Sequence, residues 1–201
     1  MVNENKTPMV DLSALKRGDK HAFAQMVDDH SDKIYRLALK MLGDEQDAED
    51  VLQETFIKAL KNIQNFEGRS KISTWLYRIA VNEALMLLRK RKGVIVDIDQ
   101  EYETDEGELM PRQITDWCCL PEKELMSGET RHAIDQAIQT LSDANRAAFL
   151  LRDVEGLSTQ EAAEVLNISE SALKVRLMRA RMALRESLTG YFADKIQSKA
   201  L

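Results

Sequence analysis

The residues of this chain with the clearest chemical use are bases set at helical spacing. In the stretch GLSTQEAAEVLNISESALKVRLMRARMALRE, Lys174, Arg176, Arg179, Arg181 and Arg185 face a single acid, Glu170, between positions 170 and 185. Such cations can hold phosphates or donate to guanine, and the interleaved Val175 and Met178 can touch thymine methyls. A second basic segment runs from Arg69 to Lys92, where Arg69, Lys71, Arg78, Arg89, Lys90, Arg91 and Lys92 stand against Glu83 alone. It follows Phe66 and holds Trp75, Tyr77 and Asn82. Rings for unstacked bases, cations for a backbone and an amide for a base edge are the chemistry of a single-strand site. Alone, the arginine-rich helical pair is also compatible with a merely solvated face, and Trp75 and Tyr77 with core positions. Their combination on one chain argues for nucleic acid.

The formal net charge of -6 does not oppose this reading, because the acid is concentrated elsewhere. The run VDIDQEYETDEGELM carries Asp97, Asp99, Glu101, Glu103, Asp105, Glu106 and Glu108 without a base. Two basic segments separated by an acidic one make local electrostatic footprints rather than a generally basic protein. No enzyme chemistry competes. The histidines, His21, His30 and His132, are scattered on helical patterns, and neither a phosphate-cradling glycine loop nor a zincin motif occurs. No cofactor or metal site is expected. Cys118 and Cys119 are adjacent, poor geometry for an ordinary disulfide and far short of a zinc set, so they read as reduced thiols. With no signal-like apolar run at the start and no span of about 18 apolar residues, a cytoplasmic protein is expected.

The elements that must position these groups are helices. Aromatics make up 5% of 201 residues, with 8 Gly and 3 Pro, and no run alternates β-branched residues, so the expected class is all-α. Two small helical domains are expected, an N-terminal helical bundle and a C-terminal four-helix domain with a helix-turn-helix, joined by an acidic linker. Their boundaries read as an arm with a short helix at 1–18, a first domain at 19–92, the linker at 93–122, a second domain at 123–190 and a tail at 191–201.

In the first domain, Phe23, Val27, Ile34, Leu37, Ala38 and Met41 recur at three- and four-residue steps until Gly43. Asp44 can cap the next helix, whose stripe is Ala48, Val51, Leu52, Phe56, Ala59, Leu60 and Ile63. Ser70 is available to cap the third, with Ile72, Leu76, Ile79, Ala80 and Leu87 on its apolar side. In the second domain Leu125, Ile134, Ala137, Ile138 and Leu141 could face a core, and Ser142 can cap a helix that Gly156 ends.

Ser158 and Glu161 then form a capping box, LNIS is a turn, and Ser169 can cap the last helix. Leu173, Leu177, Ala180 and Leu184 become its buried side. Its front is Ser171, Lys174, Val175, Met178 and Arg179, with Arg176, Arg181 and Arg185 on the flanks. That layout is a helix-turn-helix whose second helix reads base edges with its N-terminal half.

A duplex reader and a single-strand reader on one chain imply a protein that recognises a site and holds it open. DAEDVLQETFIKALKNIQNF, STWLYRIAVNEALMLLRKRK and the helix-turn-helix, in this order, resemble bacterial RNA polymerase sigma factors of the extracytoplasmic function group, in the sigma-70 family. The resemblance implies that the first domain binds the clamp helices of the β′ subunit and reads the melting minus-10 element. The second would bind the β flap and read the minus-35 element. Core binding would then fall on Asp47, Asp50, Gln53, Glu54 and Lys58, for which a solvated acidic face is the alternative. The minus-10 strand would meet Phe66, Gly68, Arg69, Ser70, Lys71, Trp75, Arg78 and Asn82. The minus-35 duplex would meet Thr159, Ser171, Lys174, Val175, Arg176, Met178 and Arg179. The acidic segment resembles the family's connector through the polymerase cleft. An anti-sigma partner is also implied, along with a protein that is not itself an enzyme.

Overall fold

The computed structural model describes residues 11–93 and 128–199, with side chains through 192. Most of the N-terminal arm, the acidic run from Asp97 to Glu108, the Cys118–Cys119 pair and Leu125 lie outside the described residues. Every regular element among the described residues is helical.

The first group is set by aspartate caps. Asp11 accepts from the Ser13 amide at 2.9 Å and starts α1, Leu12–Lys16. Asp19 accepts from the amides of His21 and Ala22 and starts α2, Lys20–Leu42, which ends where Gly43 turns left-handed at φ 69°. Asp44 holds the Asp47 amide at 3.0 Å and opens α3, Glu45–Asn62, whose acidic first turn suits the helix dipole. A 3-10 turn, Ile63–Asn65, leads through Gly68 to α4, Ile72–Arg91. Here the sequence expectation needs correction: Lys71, not Ser70, is the N-cap residue, and no side chain caps this helix. Ser70 stands one residue too early for its hydroxyl to meet the first free amides.

Met26, Ile34, Leu37 and Met41 of α2, Val51, Phe56 and Ala59 of α3, and Leu76, Val81, Ala84 and Leu88 of α4 are buried together. Each large side chain so buried contributes about 1.5–3 kcal/mol, which outweighs the weak intrinsic stability of single helices. Leu60 departs from its expected stripe and is 52% exposed. With Ala59 fully buried, the next residue lies about 100° further round the helix and turns toward solvent. Ile57, also exposed, lies beside it one turn earlier.

The second group comprises α5, Gly128–Thr140; α6, Asp143–Phe149; a π turn, Leu150–Val154; α7, Thr159–Leu166; and α8, Glu170–Lys199. Ser142 holds the N-cap position of α6 without a side-chain cap bond. The helix read as running to Gly156 instead widens, the Glu155 amide donating to the Leu150 carbonyl at 2.9 Å. The supposed tail is also different: α8 continues to Lys199, and Phe192 is buried within it.

The two groups pack on each other, α2 against α5 and α6, and α4 against α6 and α7. One apolar cluster runs from Leu15 to Leu184 across both. At the seam, the buried Arg146 donates to the carbonyls of Ile138 at 3.1 Å and Leu141 at 3.0 Å, and also to those of Gln139 and Met41. One guanidinium therefore satisfies carbonyls at the C-terminal ends of both α5 and α2, groups that a helix leaves without internal partners.

Candidate nucleic-acid interface

The helix-turn-helix is built from local bonds. Ser158 Oγ accepts from the Glu161 amide at 3.1 Å, while Glu161 Oε2 accepts from the Ser158 amide at 2.9 Å, closing the expected capping box. That amide first, and the Lys71 ammonium second, hold the Glu161 carboxyl down at about 2. Asn167 ends α7 in the left-handed region at φ 53°. The short polar side chain of Asn tolerates this conformation better than most residues. Ser169 Oγ accepts from the Ala172 amide at 3.1 Å and shares a hydrogen bond with the Ser171 hydroxyl at 2.9 Å. Leu173, Leu177, Ala180 and Leu184 are buried as the spacing predicts.

The opposite face of α8 consequently stands outward. Ser171, Lys174, Val175 and Met178 are exposed, and Arg176 and Arg179 are partly so. Val175 is 40% and Met178 45% exposed, an apolar strip flanked by cations. Thr159, in the first turn of α7, is partly exposed. Arg181 does not join this face: it grips Asp153 with two bonds, Nε at 2.8 Å and Nη2 at 2.7 Å. The π turn delivers Asp153 to α8 and Glu155 to α4, a pair of contacts the sequence did not signal.

The α4 surface is made differently. Lys71, Arg78 and Asn82 are exposed along one side, with Trp75 half-buried among them. Arg69 is exposed in the preceding loop and paired with Glu67, and Ser70 is partly exposed beside it. Gly68 turns that loop at φ 75°, and a Cβ there would meet the Leu12 side chain at 3.2 Å. Of the three rings, only Trp75 keeps an appreciable open surface. Phe66 is buried and stacks on Trp75 with centroids 4.9 Å apart. Tyr77 is buried too, its hydroxyl donating to Glu155 at 2.6 Å. Burial first, and that carboxylate second, raise its pKa. As a base platform Tyr77 is therefore replaced by a structural tyrosine. Phe66 supports Trp75 from behind in this arrangement.

On α3, Asp50 and Gln53 are exposed and Glu54 partly so. Asp47 is ion-paired with Arg91, and Lys58 bonds Glu83 at 2.6 Å with Glu54 at 3.7 Å. Two of the five proposed polymerase-binding residues thus also tie α3 to α4. Arg146 and Glu155 escaped the sequence reading. The signal available for Arg146 was only a base standing directly ahead of the apolar run AAFLL.

Among the described residues no group of three His, Cys, Asp or Glu side chains could hold a metal ion, and no helix is long and apolar enough to cross a membrane. Residues 26–94 match the family model for Sigma-70 region 2, and residues 131–184 match that for Sigma-70, region 4. The chain is 42% identical over 177 residues to the ECF RNA polymerase sigma factor SigW of Bacillus subtilis, covering 88% of this chain and 94% of that one. It is 37% identical to the RNA polymerase sigma-H factor of Pseudomonas aeruginosa, covering 88% and 91%. Among solved structures, CnrH in complex with the cytosolic domain of CnrY shares the fold at TM-score 0.66 and 22% identity, over 92% of this chain and 99% of that chain. The sigma factor RpoE of Bartonella quintana, bound to the anti-sigma factor NepR, aligns at TM-score 0.59 and 25% identity, over 83% and 96%. With the helix-turn-helix and the second basic helix in place, these matches identify the family: the chain belongs to the extracytoplasmic function group of sigma-70-type RNA polymerase sigma factors.

Proposed function

We propose that this chain joins core RNA polymerase in the cytoplasm and directs it to promoters, α8 reading the minus-35 duplex and α4 taking the melted minus-10 strand. The observation that carries the proposal is the presence of two unlike basic surfaces. One is a helix-turn-helix front of Lys174, Val175, Met178 and Arg179, shaped for a major groove. The other is an α4 stripe of Lys71, Trp75, Arg78 and Asn82, with a ring for an unstacked base and an amide for its edge. Thr159 and Arg176 suit phosphates at the edge of the groove, and Ser171 lies at its mouth. Phe66, Gly68, Arg69 and Ser70 border the minus-10 pocket, Phe66 by backing Trp75.

The region 2 unit, 19–92, docks the β′ clamp helices through Asp47, Asp50, Gln53, Glu54 and Lys58. The region 4 unit, 123–190, docks the β flap. Exposed Ile57 and Leu60 give the polymerase-facing side of α3 apolar area beside its charges. DNA opening draws on binding free energy, and nucleotide chemistry belongs to the polymerase. An anti-sigma factor would silence the chain by covering these faces, as the capture of RpoE with such a protein suggests.

The test is transcription from a fragmented genomic library by purified core polymerase, with and without the chain, with start sites mapped. New starts sharing two upstream elements are expected. Binding to core without new starts would overturn the promoter-reading role.

A further inference from the structure

Exposure divides the methionines of this chain by place. Among the described residues, Met26 and Met41 of α2 are fully buried, both at 0% exposure. Met86, Met178 and Met182 are 50%, 45% and 39% exposed, and all three stand on the two helices proposed to contact DNA. On α8 the buried positions Leu173, Leu177, Ala180 and Leu184 fix the outward line as Ser171, Val175, Met178 and Met182, at steps of four, three and four. On α4, Met86 follows Asn82 by about one turn.

Among apolar aliphatic side chains, only the thioether carries an atom that mild oxidants convert into a polar group. With hydrogen peroxide, the methionine sulfur lone pair attacks one peroxide oxygen, and the O–O bond breaks as the S–O bond forms. The released hydroxide takes the proton left on the new sulfoxide oxygen and departs as water. The sulfur gives up two electrons and the peroxide accepts them. The product is polar, and its oxygen accepts hydrogen bonds without donating any. Burial shields Met26 and Met41 from this chemistry, so the core persists while the outward face changes.

Resting on the function proposed above, we propose that Met178 and Met182 form an oxidant-sensitive switch in minus-35 recognition, thrown by peroxide and reset by reduction of the sulfoxides. Met178 stands with Lys174, Val175 and Arg179 on the front that meets base edges, where its side chain can touch a thymine methyl. A sulfoxide there presses an unpaired acceptor against that methyl. From Ser171 to Met182 the helix rises about 17 Å, more than the roughly 12 Å width of the major groove. Met182 therefore lies at the groove's rim, beside the sugar-phosphate backbone, where a sulfoxide oxygen faces phosphate oxygens, acceptor against acceptor. Both changes oppose binding, and neither touches the buried Leu173 or the Ser169 cap that holds the turn.

The experiment treats the full chain, carrying Cys118→Ser, Cys119→Ser and Met86→Leu to remove other oxidisable sulfur, with hydrogen peroxide. The oxidant is then removed and untreated core polymerase added. Peptide mass spectrometry checks for one added oxygen at Met178 and at Met182. Fluorescence anisotropy measures binding to a promoter with both elements, and to a pre-melted template without a minus-35 element. Oxidation is expected to weaken two-element binding about tenfold and to leave the pre-melted template unaffected. Methionine sulfoxide reductases with a thiol reductant should restore the loss. A parallel chain with Met178→Leu and Met182→Leu is compared only with itself before and after peroxide, so any change in its starting affinity divides out, and it should show no oxidant response. Unchanged affinity of the oxidised chain, or an equal loss in the leucine chain, overturns the switch. A fall in helicity by circular dichroism that tracks the lost binding overturns it too. Failure of the untreated holoenzyme to bind the two-element promoter is a distinct result, which strikes the functional reading on which the switch depends.

Discussion

The two basic helices reach their surfaces by different routes. The front of α8 follows from local rules. A capping box, a left-handed Asn167 and a serine cap set the turn, and a line of four buried residues leaves Lys174, Val175 and Met178 outward with Arg179 at the edge. The α4 surface depends on its neighbours. Phe66 becomes a support for Trp75, Tyr77 turns inward to Glu155, and Lys71 is paired with Glu161, all through contacts made beyond the helix itself. In the proposed division, duplex reading falls to one helix and its cap, whereas single-strand reading falls to a surface assembled from several elements.

The largest effect is expected where the two groups meet. Arg146→Met leaves four carbonyls at the seam without their donor and should cost at least about 3 kcal/mol, measured by urea denaturation. It should also split unfolding into two transitions. A single unshifted transition would show that the groups do not depend on one another. Next, Arg179→Ala should weaken promoter binding by about 1–3 kcal/mol on templates with a minus-35 element, and by nothing on pre-melted templates lacking one. Asn82→Ala should show the converse. If both variants lose binding on both templates, the separation into two readers fails.

Smaller effects sharpen the claim that the helix-turn-helix is locally determined. Ser158→Ala should cost about 1 kcal/mol in thermal or chemical denaturation and leave α4 contacts other than that of Lys71 unchanged. The acid dependence has a defined sign. Glu161 titrates lower in the fold, at about 2, than its ordinary 4.5, so its ionised form is stabilised by folding. That contribution is complete above pH 4.5 and is lost as the pH falls toward 2. A Glu161→Gln chain should show a flatter melting-temperature profile across that window. Asn167→Gly should change stability by no more than a few tenths of a kcal/mol, because the position already needs a left-handed residue.

Much of this architecture was readable beforehand, for identifiable reasons. Leu173, Leu177, Ala180 and Leu184 are buried because four- and three-residue steps return to one helix face. Asp44 and Ser158 cap because their oxygens stand just ahead of free amides. Ser70 misled because capping is exact to one residue, and composition alone does not tell which of two adjacent residues will be N-cap. Leu60 misled because a stripe's edge is set by where the neighbouring helix stops. The π turn after α6 left no periodic trace, since one widened turn merely shifts the pattern. The fates of Tyr77 and Arg146 depended on partners 78 and 105 positions away, Glu155 and Met41.

What the sequence by itself determined is therefore the helices, the helix-turn-helix with the outward residues proposed to read bases, and the basic stripe on α4. All of these arise from groups within a few turns of one another, where backbone geometry dictates who meets whom. Only the tertiary structure decided that Phe66 and Tyr77 turn inward, that Arg146 joins two helix ends, and that carboxylates of one helical group occupy lysines of the other. Those outcomes depend on which surfaces close against each other, and a burial pattern names the sticky face of a helix without naming its partner.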